Sequence, residues 1–278
     1  MAFELHTTPT TMVPPRAPKP PPLLFGLPID GLSMDEAVDR CQQAVQTREP
    51  LLIGVLNAAK IVNLRRDPSL CDALLDCNML LADGQAVVWA SRLLGKPLPE
   101  RVAGIDLFEE LLELAHRQQR GIYLLGAKPE VLAALQRKIG ERWPGLRFVG
   151  SHDGYFSDEQ AVQIASEIQY SGADMLFLGM ASPKKEIFLK RFQHQLNVPV
   201  LHGVGGSFDV LSGLTRRAPR AWQRLGLEWA YRLLQEPGRL WKRYLVTNSA
   251  FIALTLREAV HPQQPLRPSD PVAAPRLH

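Results

Sequence analysis

The chain has 278 residues, of which 46% are hydrophobic and 22% charged, enough to bury a core in one domain or two small ones. Its net charge is only +4 and its three cysteines (Cys41, Cys71, Cys77) show no C-x-x-C spacing, which excludes a disulfide framework or a zinc ribbon and suits buried thiols in a reducing compartment. Residues 1–22 are Pro-rich and lack the continuous apolar core of a signal peptide, so a disordered lead-in is expected there.

From residue 23 to 213 short apolar runs alternate with helical patterns. The expected strands are Leu51–Leu56, Met79–Ala82, Gly121–Leu125, Leu146–Val149, Asp174–Gly179 and Val198–Val204. The expected helices are Ser33–Thr47, Ala58–Arg65, Gln85–Leu94, Leu107–Gln119, Glu130–Trp143, Asp158–Ser171 and Lys184–Gln195, with Ser33, Asp106 and Ser157 as caps. This alternation predicts an α/β core with a parallel sheet covered on both faces, Rossmann-like in plan. Ligands of such sheets bind beyond the carboxyl ends of the strands. Asn57, Asp83-Gly84, Gly126 to Lys128, Ser151 to Asp153, Met180 to Glu186 and Gly205 to Asp209 occupy those positions.

Residues 214–258 read as a helical basic appendage. Thr215 to Tyr244 alone holds Arg216, Arg217, Arg220, Arg224, Arg232, Arg239, Lys242 and Arg243 against Glu228 and Glu236, with Trp222, Trp229 and Trp241 among them. Such a segment suits an anionic surface: lipid head groups, a diphosphate or nucleic acid. Trp222, Leu225, Trp229 and Leu233 predict one apolar stripe on a helix from Ala218 to Gln235, closed by Pro237. A second helix is expected over Gly238–Glu258. Its apolar run, Tyr244 to Leu256, is too short for the roughly 20 residues of a membrane span, though it can lie on a bilayer. A hairpin docked on the core fits the same pattern. Residues 259–278 form a second Pro-rich tail. The expected location is cytoplasmic or on the cytoplasmic membrane face.

Several signatures fail. Gly121-x4-Gly126-Ala127-Lys128 places its lysine one position late for a phosphate loop, and Phe208 stands where a dinucleotide fingerprint needs its third glycine. Gly205 to Asp209 lacks the closing glycine of a nucleophile elbow. There is no H-E-x-x-H and no D-x-D, the usual carboxylate clamp for a metal on a nucleotide diphosphate.

Six blocks remain in order: Asn57-Ala58-Ala59-Lys60, Ala82-Asp83-Gly84, Glu100-Arg101-Val102-x-Gly104-x-Asp106, Gly126 to Glu130, Ser182-Pro183-Lys184-Lys185-Glu186 and Gly203 to Asp209. Arg217-Ala218-Pro219, Glu228-Trp229 and Glu236-Pro237 follow. This set resembles the WecG/TagA/CpsF family of bacterial glycosyltransferases from about Phe25 to Glu258. The resemblance implies inverting, metal-independent transfer of a sugar from a UDP-sugar to an undecaprenyl-pyrophosphate-linked saccharide at the inner face of the cytoplasmic membrane, as in exopolysaccharide synthesis. It implies no cofactor, and an appendage that associates with the membrane, closes over the site and supplies cations. No nucleic-acid partner is expected, because the chain apart from the appendage is net acidic and shows no nucleic-acid-binding motif. A homo-oligomer stays open.

Carried over by residue, the resemblance makes Asp83 the general base, ionised at neutral pH without a special shift, and Asn57 the orienter of a sugar hydroxyl. It places Arg232, Arg239 and Lys242 near the diphosphate, and Gly84, Arg101, Gly126, Pro183, Lys184, Glu186 and Gly205 in the binding site. Each has a plainer reading. Asp83 suits an N-cap, Arg101 a bridge between acids in a loop, Gly126 and Gly205 tight turns, Glu186 a helix start, and His202 a satisfied core position. Val55 and Lys185 stand where some relatives have threonine and glutamine. Two rival functions fit the pattern: a Rossmann-type oxidoreductase or epimerase, and a non-catalytic adaptor for acidic membranes.

Overall fold

The computed structural model describes residues 20–182 and 184–268, apart from the side chains of Arg224, Arg239 and Arg243. Pro183 and most of the two expected tails lie outside the described residues. In chain order the elements are β1 (Leu23–Leu24), β2 (Leu27–Pro28), α1 (Met34–Thr47), β3 (Leu51–Leu56), α2 (Ala58–Asn63), α3 (Pro68–Leu75), β4 (Met79–Ala82), α4 (Gln85–Leu93), α5 (Gly104–Gln118), β5 (Gly121–Gly126), α6 (Pro129–Arg142), β6 (Arg147–His152), α7 (Asp158–Tyr170), β7 (Met175–Gly179), α8 (Lys184–Phe192), β8 (Val200–Gly203) and α9 (Ser207–Leu211), followed by α10 (Arg220–Arg224), α11 (Glu228–Gln235) and α12 (Pro237–Val260).

β3 to β8 form one parallel sheet in the order β4-β3-β8-β7-β5-β6. The strand period of two assigns its faces. Ile122, Leu124, Met175 and Phe177 join α1, α5, α6 and Phe208 of α9 in one apolar cluster. Tyr123, Leu125, Leu176 and Leu178 join α7 and α8 in the other. Near-continuous apolar strands are what burial on both faces demands. The helices after β3 and β8 leave to opposite faces, since α3 packs against α8 whereas α9 packs against α6. A crevice therefore opens beyond the carboxyl ends of these neighbouring strands.

Ser33 and Ser157 cap α1 and α7 through reciprocal capping boxes, each worth about 1 kcal/mol against alanine. Asp106 does not cap. α5 begins two residues earlier at Gly104, and Asp106 sits in its first turn. β6 runs to His152, beyond the expected Val149; as an edge strand paired only with β5 it tolerates polar residues that break the apolar pattern.

The expected helix over 218–235 is two helices. Gly226 turns at φ +68°, and its backbone lies so close to α4 that a β-carbon would come within 2.7 Å of the Gln85 side chain. α12 then packs along α2. Its Phe251 ring lies tilted 5.4 Å from Phe25 and joins a third cluster with Leu24, Leu27, Ile29 and Leu56. Residues beyond α12 are held too: Leu266 N–H donates to Gly26 O at 2.8 Å.

Candidate active site

Asp83 sits at the carboxyl end of β4, the edge strand beside β3. Its N–H donates to Leu56 O at 2.9 Å, which fixes it beside the end of β3. It does not cap α4, whose N-cap is Gly84. Instead Oδ1 accepts from Gly104 N–H, 3.3 Å away, at the first turn of α5. The loop before α5 is tethered beside β4 by Val102 N–H donating to Ala82 O at 2.9 Å, and so carries Arg101 to the same place.

Burial raises the Asp83 carboxyl above its ordinary value, and Glu228 pushes it further up. Arg101, Lys60 and the Gly104 N–H pull it down without overcoming burial. The expectation of an unshifted aspartate is therefore corrected. The carboxylate is a stronger base than a solvated one, because its ionised form has exchanged water for a dense shell.

Asn57 follows β3 and caps α2, its Oδ1 accepting from Lys60 N–H at 3.0 Å. A β-carbon on Gly84 would lie 3.3 Å from Asn57 Cβ, so these two strand ends touch. Lys60 projects beneath them, donating from Nζ to Val55 O at 2.9 Å. Burial, and then Lys185, lower its ammonium to about 8. Lys185 pairs with Glu186 at 3.3 Å, and both are about nine-tenths buried. They line a small cavity between α3 and α8 together with Lys60, Cys77 and Gly203.

The remaining expected residues divide. Gly126 has φ +123°, and a β-carbon there would stand 2.8 Å from Gly179 C, so backbone approach to β7 alone demands glycine. Gly205, at φ +53°, turns the chain from β8 into α9. Lys184 donates to Phe156 O at 3.3 Å and stands over the Phe156 ring, engaged on the α7 side of the sheet. Arg232 and Lys242 are exposed on the appendage, with Lys242 over the Trp241 ring. The cations acting most strongly on Asp83 are Arg101 and Lys60. Pro183 and the Arg239 side chain lie outside the described residues. His202 is fully buried as expected, with Nε2 3.0 Å from Gly104 O, but its Nδ1 has no hydrogen-bond partner, so the ring is only half satisfied.

An ion network joins appendage and core. Arg101 bonds Glu228 of α11 and reaches Asp106 at 3.4 Å. Arg217, just before α10, meets Asp106 at 2.6 Å, Glu228 at 3.5 Å and Glu109 at 3.8 Å. Sequence patterning gave no role to Glu228, Arg217 or Lys60. Glu228 had two legible marks, an acid inside a basic segment and a place in the Glu228-Trp229 block. Among the described residues no group of three or more His, Cys, Asp or Glu is placed to hold a metal ion.

A parallel α/β sheet thus carries a buried, raised carboxyl at a strand end, with a basic helical arm tied to the loop beside it through Arg101 and Glu228. Residues 22–265 match the model of the glycosyl transferase WecG/TagA/CpsF family, and the chain belongs to that family. It is a glycosyltransferase, with a sugar donor and an acceptor as its substrates. Membership decides for a transferase over the oxidoreductase and the adaptor.

Proposed function

We propose that this transferase moves a sugar from a UDP-sugar to a saccharide carried on undecaprenyl pyrophosphate, with inversion at the anomeric carbon. Asp83 carries the reading, because its carboxyl is raised by burial at the mouth of the sheet. The acceptor hydroxyl attacks the anomeric carbon from the face opposite UDP. Its proton passes to Asp83 as the new bond forms, and the bond to UDP breaks with its electron pair on the diphosphate oxygen. Asn57 holds a sugar hydroxyl through the amide nitrogen that capping leaves over. Arg232, Arg239 and Lys242 balance the charge on departing UDP, work that a metal does elsewhere.

The protein works at the inner face of the cytoplasmic membrane as a peripheral enzyme of polysaccharide assembly. Two features support this. No helix among the described residues is long and apolar enough to cross a bilayer. Yet α12 exposes Trp241, Leu245, Ile252 and Leu256, whose spacings of four and seven put them on one helix face.

The test is UDP release from a panel of UDP-sugars with a short-chain lipid-pyrophosphate acceptor, with and without EDTA. Acceptor-dependent release from one donor, unaffected by EDTA and reduced on the order of 10²–10⁴-fold in Asp83→Asn, is expected. Near-normal turnover in Asp83→Asn would remove it as the base.

A further inference from the structure

The charges around Asp83 come from every element packed there: Arg101 from the loop before α5, Lys60 from α2, Glu228 from α11, and the Gly104 N–H of α5. Behind them stand Asp106 and Glu109 of α5 with Arg217 from the appendage, and Lys185 and Glu186 of α8 beside Lys60. Arg142 pairs with Glu109 at 2.6 Å. Arg101, Arg142 and Arg217 thus face Asp106, Glu109 and Glu228, a network balanced without any contribution from Asp83.

The balance depends on Glu228. The Arg101 side chain is only 14% exposed and cannot turn to water for a counter-ion. Without the α11 carboxylate it would keep only the 3.4 Å contact to Asp106, and its charge would fall on Asp83, which the Val102–Ala82 and Gly104–Asp83 bonds hold beside its loop. A buried guanidinium short of a partner takes the nearest carboxylate. An aspartate so claimed is a poor proton acceptor.

We propose that Glu228 is a positioning residue: by engaging Arg101 it keeps that guanidinium off Asp83 and so leaves Asp83 an effective base. The inference rests on the reading of Asp83 as base.

The experiment follows the Asp83 carboxyl directly, in full-length protein labelled with 13Cγ-aspartate, its signal assigned by its loss in Asp83→Asn. Glu228→Gln should move the Asp83 titration midpoint to lower pH, and Glu228→Asp, which keeps the charge, should leave it near wild type. In an Arg101→Gln background Glu228→Gln should move it much less. With the donor and acceptor selected by the UDP-release panel, kcat of Glu228→Gln should fall about tenfold or more, with the acid limb of the pH profile displaced in step with the carbon signal. A midpoint unmoved by Glu228→Gln, whatever its turnover, overturns the proposal. An equal shift with and without Arg101 overturns the route through that residue. Should Glu228→Gln misfold, Glu228→Ala takes its place in both backgrounds. Full turnover in Asp83→Asn is a different failure, that of the base itself, and leaves the shift in the carbon signal to be judged separately.

Discussion

Asp83 and His202 both bind Gly104, the first residue of α5: Asp83 accepts the Gly104 N–H, and the His202 ring meets the Gly104 carbonyl. Both are titratable groups held away from water, and both tie stability to pH. The Asp83 carboxyl is raised, so its protonated form is favoured in the fold and its contribution is lost as pH rises through the folded value. At pH 7 the ionised side chain is a burden on the fold. Asp83→Asn keeps the acceptor for Gly104 and should therefore melt higher than wild type at pH 7, with the gap closing in acid, by differential scanning fluorimetry. His202 runs the other way. Burial lowers it from 6.5 to about 4, so its neutral ring stabilises the fold fully above about pH 6.5 and that stability drains as pH falls toward 4. The loss is on the order of 3 kcal/mol, and a urea-unfolding series in His202→Gln should lack it. Gly126→Ala is expected to cost about 2–3 kcal/mol or to prevent folding, because it adds both a strained φ and a backbone clash.

At the scale of elements, α12 is apolar on two sides. One side buries Leu240 and Phe251 against the core, and the other leaves Trp241, Leu245, Ile252 and Leu256 in solvent. The two sides predict separable effects. Phe251→Ala should lower stability by about 3–4 kcal/mol with vesicle binding intact above its melting loss. Trp241→Ser with Leu245→Ser should leave melting almost unchanged and weaken sedimentation with anionic vesicles tenfold or more. Strands were the most legible elements. Leu51–Leu56 and Met79–Ala82 have the bounds their apolar runs announce, since a strand buried on both faces has no polar residue to blur it. The hairpin of β1 and β2 went unseen because two residues have no period. α3 went unseen because eight residues carry barely two turns, with Cys71 and Asp72 interrupting the apolar stripe. The break at Gly226 was hidden because the aromatic spacing carries on across it. Asp83 could be read as a strand-end carboxylate, and its setting could not. The setting comes from burial, Arg101, Glu228 and Gly104, and the bond of Glu228 to Arg101 spans 127 positions and leaves no trace in local pattern.

Across the whole molecule, the appendage and the core share one apolar interior, since Phe251 belongs to the same cluster as Phe25, Leu56 and Leu80, with Leu254 and Leu266 packed on it. Truncation after Ser212 should therefore yield a protein that melts early and aggregates, rather than a stable core lacking only its membrane contact; static light scattering during a thermal ramp would show it. The same closure has a temporal side. Phe25 N–H is bonded by Glu258, 233 positions later, and Gly26 O by Leu266. At roughly 5–20 residues per second, a ribosome takes roughly 10–50 s to deliver the cover for a hairpin it has already made. Through that interval Leu24, Phe25 and Leu27 wait without their lid, and the site beside them has no Glu228 until nearly all of that time has passed. The nascent chain thus carries both an uncovered hairpin and an Arg101 still lacking Glu228 through most of its synthesis, and the two are closed at about the same moment.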